Sequence, residues 1–305
     1  MVRASFLLVL GACLVAGSLA TSAARAQGNP PGTVTASVAV GGVQQPAGEF
    51  ERGGDVRWSS ATLTGGVTRQ FVPAFAAGLS LRYDCEDWCI GAPAEFGAKP
   101  PWRHLLRPGA TLNLSLALSR TLVVGVSPTV EWACDSRANA RDARICGGAI
   151  SAARVFSPRF TLGAGASVTR QFYSLKTTPF VIVKWKLTDQ VRIANAPATG
   201  PLGGAGVELR YAPTADWELA VGGVWRSDRW RLQDAGPAQG RIGETSFVPL
   251  LARLSRRLGA KARFDLYAGV SACNRLTVRD EAGNELARAS YGAVPLVSAT
   301  LSGRF

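Results

Sequence analysis

The chain has 305 residues, with 34 Lys and Arg against 21 Asp and Glu, one His and a formal net charge of +13. Its mean hydropathy of +0.11 is too close to neutral for a helical membrane protein and is ordinary for a barrel with a wet interior. The length suits one large β domain, and neither a linker nor a low-complexity run divides it.

At the N-terminus, Met1-Val2-Arg3 is a basic start, Phe6 to Ala20 is apolar, and Ala24-Arg25-Ala26 fits a small-x-small cleavage site. Residues 1–26 therefore read as a signal peptide, with Gln27 as the mature start. A membrane anchor fits poorly, because the apolar core is short. Leu10-Gly11-Ala12-Cys13 looks like a lipobox, but the apolar stretch before Cys13 is very short, so ordinary cleavage is expected. Removing Arg3 and Arg25 leaves 32 basic against 21 acidic residues, a net +11. For an exported chain that charge points to lipopolysaccharide phosphates, phospholipid headgroups or anions in a lumen, and away from nucleic acid.

From residue 33 onward the chain alternates. Val34 to Val40, Ala61 to Val67, Phe75 to Tyr83, Leu112 to Leu118, Leu122 to Trp132 and Phe160 to Val168 each carry one apolar and one small, polar face. Val181 to Trp185, Val207 to Tyr211, Trp217 to Trp225, Val248 to Leu254 and Phe264 to Ala272 repeat the scheme. Gly148 to Ser157, with Arg154 on its apolar face, and the short Val191 to Asn195 are weaker. A soluble sandwich would bury the apolar faces against each other. A membrane barrel would turn them to lipid.

The last strand, Val297 to Phe305, puts Val297, Ala299, Leu301, Gly303 and Phe305 on one face. Short joins near Pro73, Arg120, Pro158, Asp189, Pro213 and Gly259 alternate with long ones through Gly41 to Asp55, Cys85 to Pro108, Ala133 to Gly147, Asp228 to Thr245 and Arg279 to Ala293. Short periplasmic turns and long outer loops are the habit of transmembrane barrels, which in bacteria have even strand numbers. The count predicts about 14 strands, or about 12 without the two weak segments. Tyr83, Trp132, Trp185, Tyr211, Trp217, Trp225 and Phe305 fall near strand ends, where interfacial girdles sit.

Signal peptide, alternation, loop asymmetry and terminal Phe305 together resemble the Gram-negative outer-membrane β-barrel superfamily. Phe180 to Asp189 followed by Gly204 to Tyr211 is similar to an uncharacterised domain-of-unknown-function barrel family, which brings no activity with it. The resemblance implies one all-β antiparallel barrel over residues 27–305, located in the cell outer membrane. It also implies contact with outer-membrane lipid and lipopolysaccharide, and assembly by machinery that reads Phe305.

Five cysteines remain once Cys13 leaves with the signal. In an oxidising periplasm, Cys85–Cys89 and Cys134–Cys146 are expected as loop disulfides, with Cys273 free and facing the lumen. A zinc site at Cys85-x-x-x-Cys89 would want more ligands than His104 alone can add. No metal or other cofactor is expected.

The polar parity carries Arg82, Lys184, Lys186, Arg210, Arg226, Arg253 and Arg263, together with Glu131, Glu208, Glu218 and Asp265. If the lumen is open, those cations line a narrow channel for small, anionic solutes. The alternative is a closed structural or surface-interaction barrel laced with ion pairs. A third reading, an envelope lipid enzyme, would need His104 to join a serine, and no local motif does this. The expectation is a non-enzymatic barrel of open oligomeric state.

Overall fold

Residues such as Val, Leu, Thr and Ser at period two favour pleated strands over helices. In the computed structural model, which describes residues 30–91, 94–97, 100–203, 205–233 and 240–305, they form seventeen strands and one 3-10 turn. The expected signal peptide, residues 1–26, and Gln27 lie outside the described residues. The first strands are β1 (Val34–Glu49), β2 (Asp55–Val72), β3 (Phe75–Ile90), β4 (His104–Ala117), β5 (Leu122–Trp132) and β6 (Cys134–Asp135). Next come β7 (Arg144–Ser157), β8 (Phe160–Gln171), β9 (Ser174–Lys186), β10 (Val191–Asn195), β11 (Val207–Tyr211) and β12 (Trp217–Gly223). The last are β13 (Arg226–Arg231), β14 (Ile242–Leu258), β15 (Ala262–Arg279), β16 (Glu285–Tyr291) and β17 (Val294–Arg304).

Fourteen of these close into an antiparallel barrel. Each wall strand pairs with the next, and β1 meets β17 from Ser37↔Arg304 to Gln44↔Val297. The remaining three, β6, β13 and β16, belong to the outer end. Both segments with weak alternation, β7 and β10, are wall strands, which settles the count at fourteen rather than twelve.

The sheet runs further outward than the sequence pattern suggested. β1 continues through Gly41 and Gly42 to Glu49, so only residues 50–54 separate it from β2. A Cβ on Gly41 would come 3.0 Å from Thr300 Oγ, so the glycine lets β1 and β17 lie close. β8 and β9 are joined at the outer end by Phe172 and Tyr173 alone, with Phe172 at φ 51°.

Outward residues form an apolar belt. Leu63, Leu79, Leu81 and Ile150 are 51–59% exposed, while the inward Asn113, Ser127, Thr178 and Thr300 are buried. A belt of this size would drive aggregation in water and matches hydrocarbon in a membrane. Closing the ring satisfies the strand edges, which lipid cannot do. Both described chain ends lie with the short turns, which marks that end as periplasmic.

Candidate functional site

Polar groups from many strands converge on the inward face of the barrel, which divides into three levels. At the outer end, Trp58 on β2 stacks on Trp88 on β3 at 5.4 Å, and Trp88 meets Trp102 edge-on at 6.1 Å. Trp102, Leu105, Trp230 and Leu232 are fully or almost fully buried with them. This is a packed core of the kind found in water-soluble domains, set inside the outer end of a barrel.

β13 builds that core by leaving the wall. It pairs with β14 along one edge, and its tip forms a parallel bridge from Arg231 to Cys134 on β6. β6 continues β5 and pairs with β4, on the far side of the ring from β14. Arg107 on β4 reaches the same strand, with Nη1 donating to Asp228 Oδ1 at 2.7 Å and the guanidinium 4.2 Å from the Trp230 ring. Both charges are buried, so the pair fixes the position of β13 across the lumen.

Below it, a cavity of about 30 Å³ is lined by Arg82, Asp84, Arg107 and Arg226 among others. That is room for a few water molecules. Arg82 pairs with Asp84 at 2.6 Å, and Arg226 with Asp228 at 3.1 Å.

Near the periplasmic end, Arg253 forms the centre of an ionic knot. Its side chain is 1% exposed and meets Glu208 at 2.6 Å, Glu218 at 2.9 Å and Asp265 at 3.1 Å. Arg263 shares Asp265 at 2.7 Å and Glu218 at 3.3 Å, and Arg210 takes Glu208 at 3.0 Å. Lys186 lies at the periplasmic mouth and pairs with Asp189 in the adjoining turn at 2.8 Å. That hydrogen bond holds the Asp189 carboxyl below its usual range. Lys184 is exposed at the same mouth and has no ion pair among the described residues. All seven sequence-predicted cations thus face inward, and six of them are paired with carboxylates. Arg107 and Asp228 escaped the sequence reading, because Pro108 and Gly109 break the pattern of β4 and Asp228 fell within an expected loop. The inward parity of Arg107 relative to Leu112 was the available signal.

The wall itself is interrupted. The β9–β10 ladder has three pairs, Lys186↔Arg192, Trp185↔Ile193 and Lys184↔Ala194. Residues 196–203, 205 and 206 then turn into the lumen, where Ala196 and Leu202 are buried. From Leu175 to Val183 the second edge of β9 has no backbone partner among the described residues. Asn195 caps the lower end of this seam, accepting from Val183 N and donating to Val181 O, both at 2.9 Å. Pro179 lies on that edge and has no N–H to leave unpaired. At the top, Lys176 Nζ donates to Ser227 O at 3.1 Å and Arg229 Nη1 to Ser174 Oγ at 2.9 Å. Outside the seam lie Leu175, Pro179 and Val181. Inside it, Phe180 and Ile182 cluster with Ala149, Ala153 and Ala205.

The expected disulfides are corrected. All five described cysteines are free. Cys85 and Cys89 share one extended strand, which separates their Cα atoms by about 13 Å, far beyond the reach of a bridge. Cys146 sits opposite Val130, four residues below Cys134 along β5 and β6, so the same argument excludes the second pair. Cys273 is exposed rather than lumen-facing. It has φ 54° where two residues of β15 bulge opposite Phe247, and this turns Asn274 inward in its place. His104 pairs through Nδ1 with Asp87 at the exposed outer end of β3 and β4, with no serine in that contact.

A closed antiparallel ring, apolar outside and polar within, defines a transmembrane β-barrel. No protein family and no curated protein matches the chain. Solved structures do match. An outer membrane channel from Pseudomonas putida F1 is 10% identical, with 92% of this chain and 97% of that one covered and a TM-score of 0.45. The toluene transporter TbuX of Ralstonia pickettii is 9% identical, with 96% and 95% covered and a TM-score of 0.46. A Pseudomonas aeruginosa FadL homologue is 11% identical, with 97% and 99% covered and a TM-score of 0.34.

Proposed function

We propose that the protein is a non-enzymatic outer-membrane channel whose axial lumen is shut and whose passage for small apolar solutes is the seam beside β9. The observation that carries this reading is the unpartnered β9 edge from Leu175 to Val183, because an open strand edge at membrane depth is costly unless the structure uses it. Apolar side chains flank the seam on both faces, so a solute crossing it would meet no charge until it reached Lys176 or Arg229.

A second reading, an axial path for small anions, draws on the inward cations and on unpaired Lys184. Against it stands the pairing of the other six, which leaves little net field for an anion. A closed structural barrel is the third.

Reconstituted in vesicles, the protein is expected to speed equilibration of a small apolar probe such as phenylnaphthylamine while showing little steady ion conductance. Ala205→Phe, which crowds the inner side of the seam, should slow the probe and leave the fold intact. Steady conductance whose anion preference reverses in Lys184→Glu/Lys186→Glu would establish the axial path instead. Neither flux nor conductance would leave the structural reading.

A further inference from the structure

Two periplasmic turns share one sequence pattern. Arg69-Gln70-Phe71-Val72-Pro73-Ala74-Phe75 joins β2 to β3, and Arg154-Val155-Phe156-Ser157-Pro158-Arg159-Phe160 joins β7 to β8. Both read R-x-F-x-P-x-F, and both ladders shift register at the same step, between Gln70 and Val72 and between Val155 and Ser157. The first Phe of each keeps the outward parity of its arginine and sits at the bulge, so the two turns build the same object.

In each, a guanidinium stacks on that ring, Arg69 at 5.1 Å from the Phe71 centroid and Arg154 at 5.4 Å from that of Phe156. Each ring then meets the second Phe across the turn, Phe71 to Phe75 at 5.7 Å and Phe156 to Phe160 at 5.4 Å. Arg69, Phe71, Arg154 and Phe156 are all exposed on the outer face of the barrel, directly below the apolar belt. Neither arginine has a carboxylate partner among the described residues. Two further cation–aromatic pairs lie at the same rim, Arg256 over Trp217 at 5.2 Å and Lys261 over Phe305 at 5.7 Å.

We propose that these two ledges are binding sites for anionic phospholipid of the periplasmic leaflet. A guanidinium with one face covered by a ring keeps its in-plane N–H groups free, and these match a phosphate in a two-pronged hydrogen bond. The paired Phe rings lie about two residues nearer the turn, on the periplasmic side of that charge, where aromatic rings sit at headgroup depth. Continuity with the belt selects lipid over a periplasmic protein, because the surface around each ledge already faces hydrocarbon. An unpaired Arg on a lipid-facing strand is tolerated at the interface, where headgroups reach it.

Native mass spectrometry of the folded full chain, titrated with phosphatidylglycerol and in parallel with phosphatidylcholine, tests this. Two phosphatidylglycerol molecules should be retained in preference to phosphatidylcholine. Arg69→Gln and Arg154→Gln should each weaken one site about fivefold, the effect of one cation near an anionic surface. Arg69→Lys/Arg154→Lys, which keeps the charge and loses the fork, should fall between. Arg144→Gln, at the outer end of β7, should change nothing. Phe71→Leu/Phe156→Leu keeps both cations and should also weaken retention, which guards against a glutamine variant that fails to fold. Equal retention of the two lipids, or unchanged retention in Arg69→Gln/Arg154→Gln, would overturn the proposal. So would retention of an acidic peptide in place of phosphatidylglycerol. A folded barrel that inserts in bilayers but shows none of this selectivity would refute the ledges and leave the barrel assignment standing.

Discussion

In the outer half of the lumen, Trp58, Trp88, Trp102 and Trp230 pack into an apolar core held in place by one buried ion pair, Arg107–Asp228. In the periplasmic half, Arg253 draws Glu208, Glu218 and Asp265 together beside the buried ring of Tyr267. Both halves are filled, by opposite chemistry. The outer half can use aromatic rings because β13 and the loops around it fold inward and supply bulk that wall residues lack. The periplasmic half has only short turns, so wall side chains must span the lumen themselves. Long charged side chains meeting at its centre do this, and each charge offsets another. Stability should therefore respond to charge at one end and to volume at the other.

The largest effect is expected at the knot. Arg253→Leu removes the central cation from three carboxylates in a buried site, leaving them only their outer arginine partners, and should cost about 3 kcal/mol, read from urea unfolding of the folded barrel. A loss below about 1 kcal/mol would mean that water already reaches these groups. In the outer half, Trp102→Ala removes a fully buried ring and should cost about 3 kcal/mol, while on the proposed reading conductance stays absent because the knot still closes the axis. Conductance appearing in that variant alone would show that the aromatic core, not the knot, is the barrier.

A smaller effect is expected at the seam. Asn195→Ala leaves Val183 N and Val181 O without their cap and should cost about 1–2 kcal/mol, with faster amide exchange confined to β9. Unchanged exchange would mean that another group satisfies that edge. The smallest effect concerns the thiols. Adding a reductant should leave both unfolding and gel mobility unchanged, because all five cysteines are free. A mobility shift on reduction would refute that assignment.

Alternation at period two made the barrel and its inward face legible, including seven of the inward cations but not Arg107, Lys176 or Arg192. Phe71, Val126 and Leu301 could be placed outward from neighbours two residues away. The same local logic failed where a contact was distant. Nothing near Asp228 shows that it meets Arg107, and the cysteine spacings suggested staples only while their segments were taken for loops. The seam was invisible as well, since a strand carries no mark of how many residues its neighbour will pair. Pro179 was the one local hint, a residue that fits an unpaired edge better than a ladder.

The sequence by itself determined which face of each strand meets lipid and which meets the lumen, because a membrane penalises a misplaced side chain residue by residue. Only the tertiary structure decided which groups meet inside the lumen. Its cations pair with carboxylates that come from other strands, and β13 crosses to the opposite wall. Both depend on which strands the closed ring brings face to face, a relation between segments far apart in the chain that no local pattern encodes.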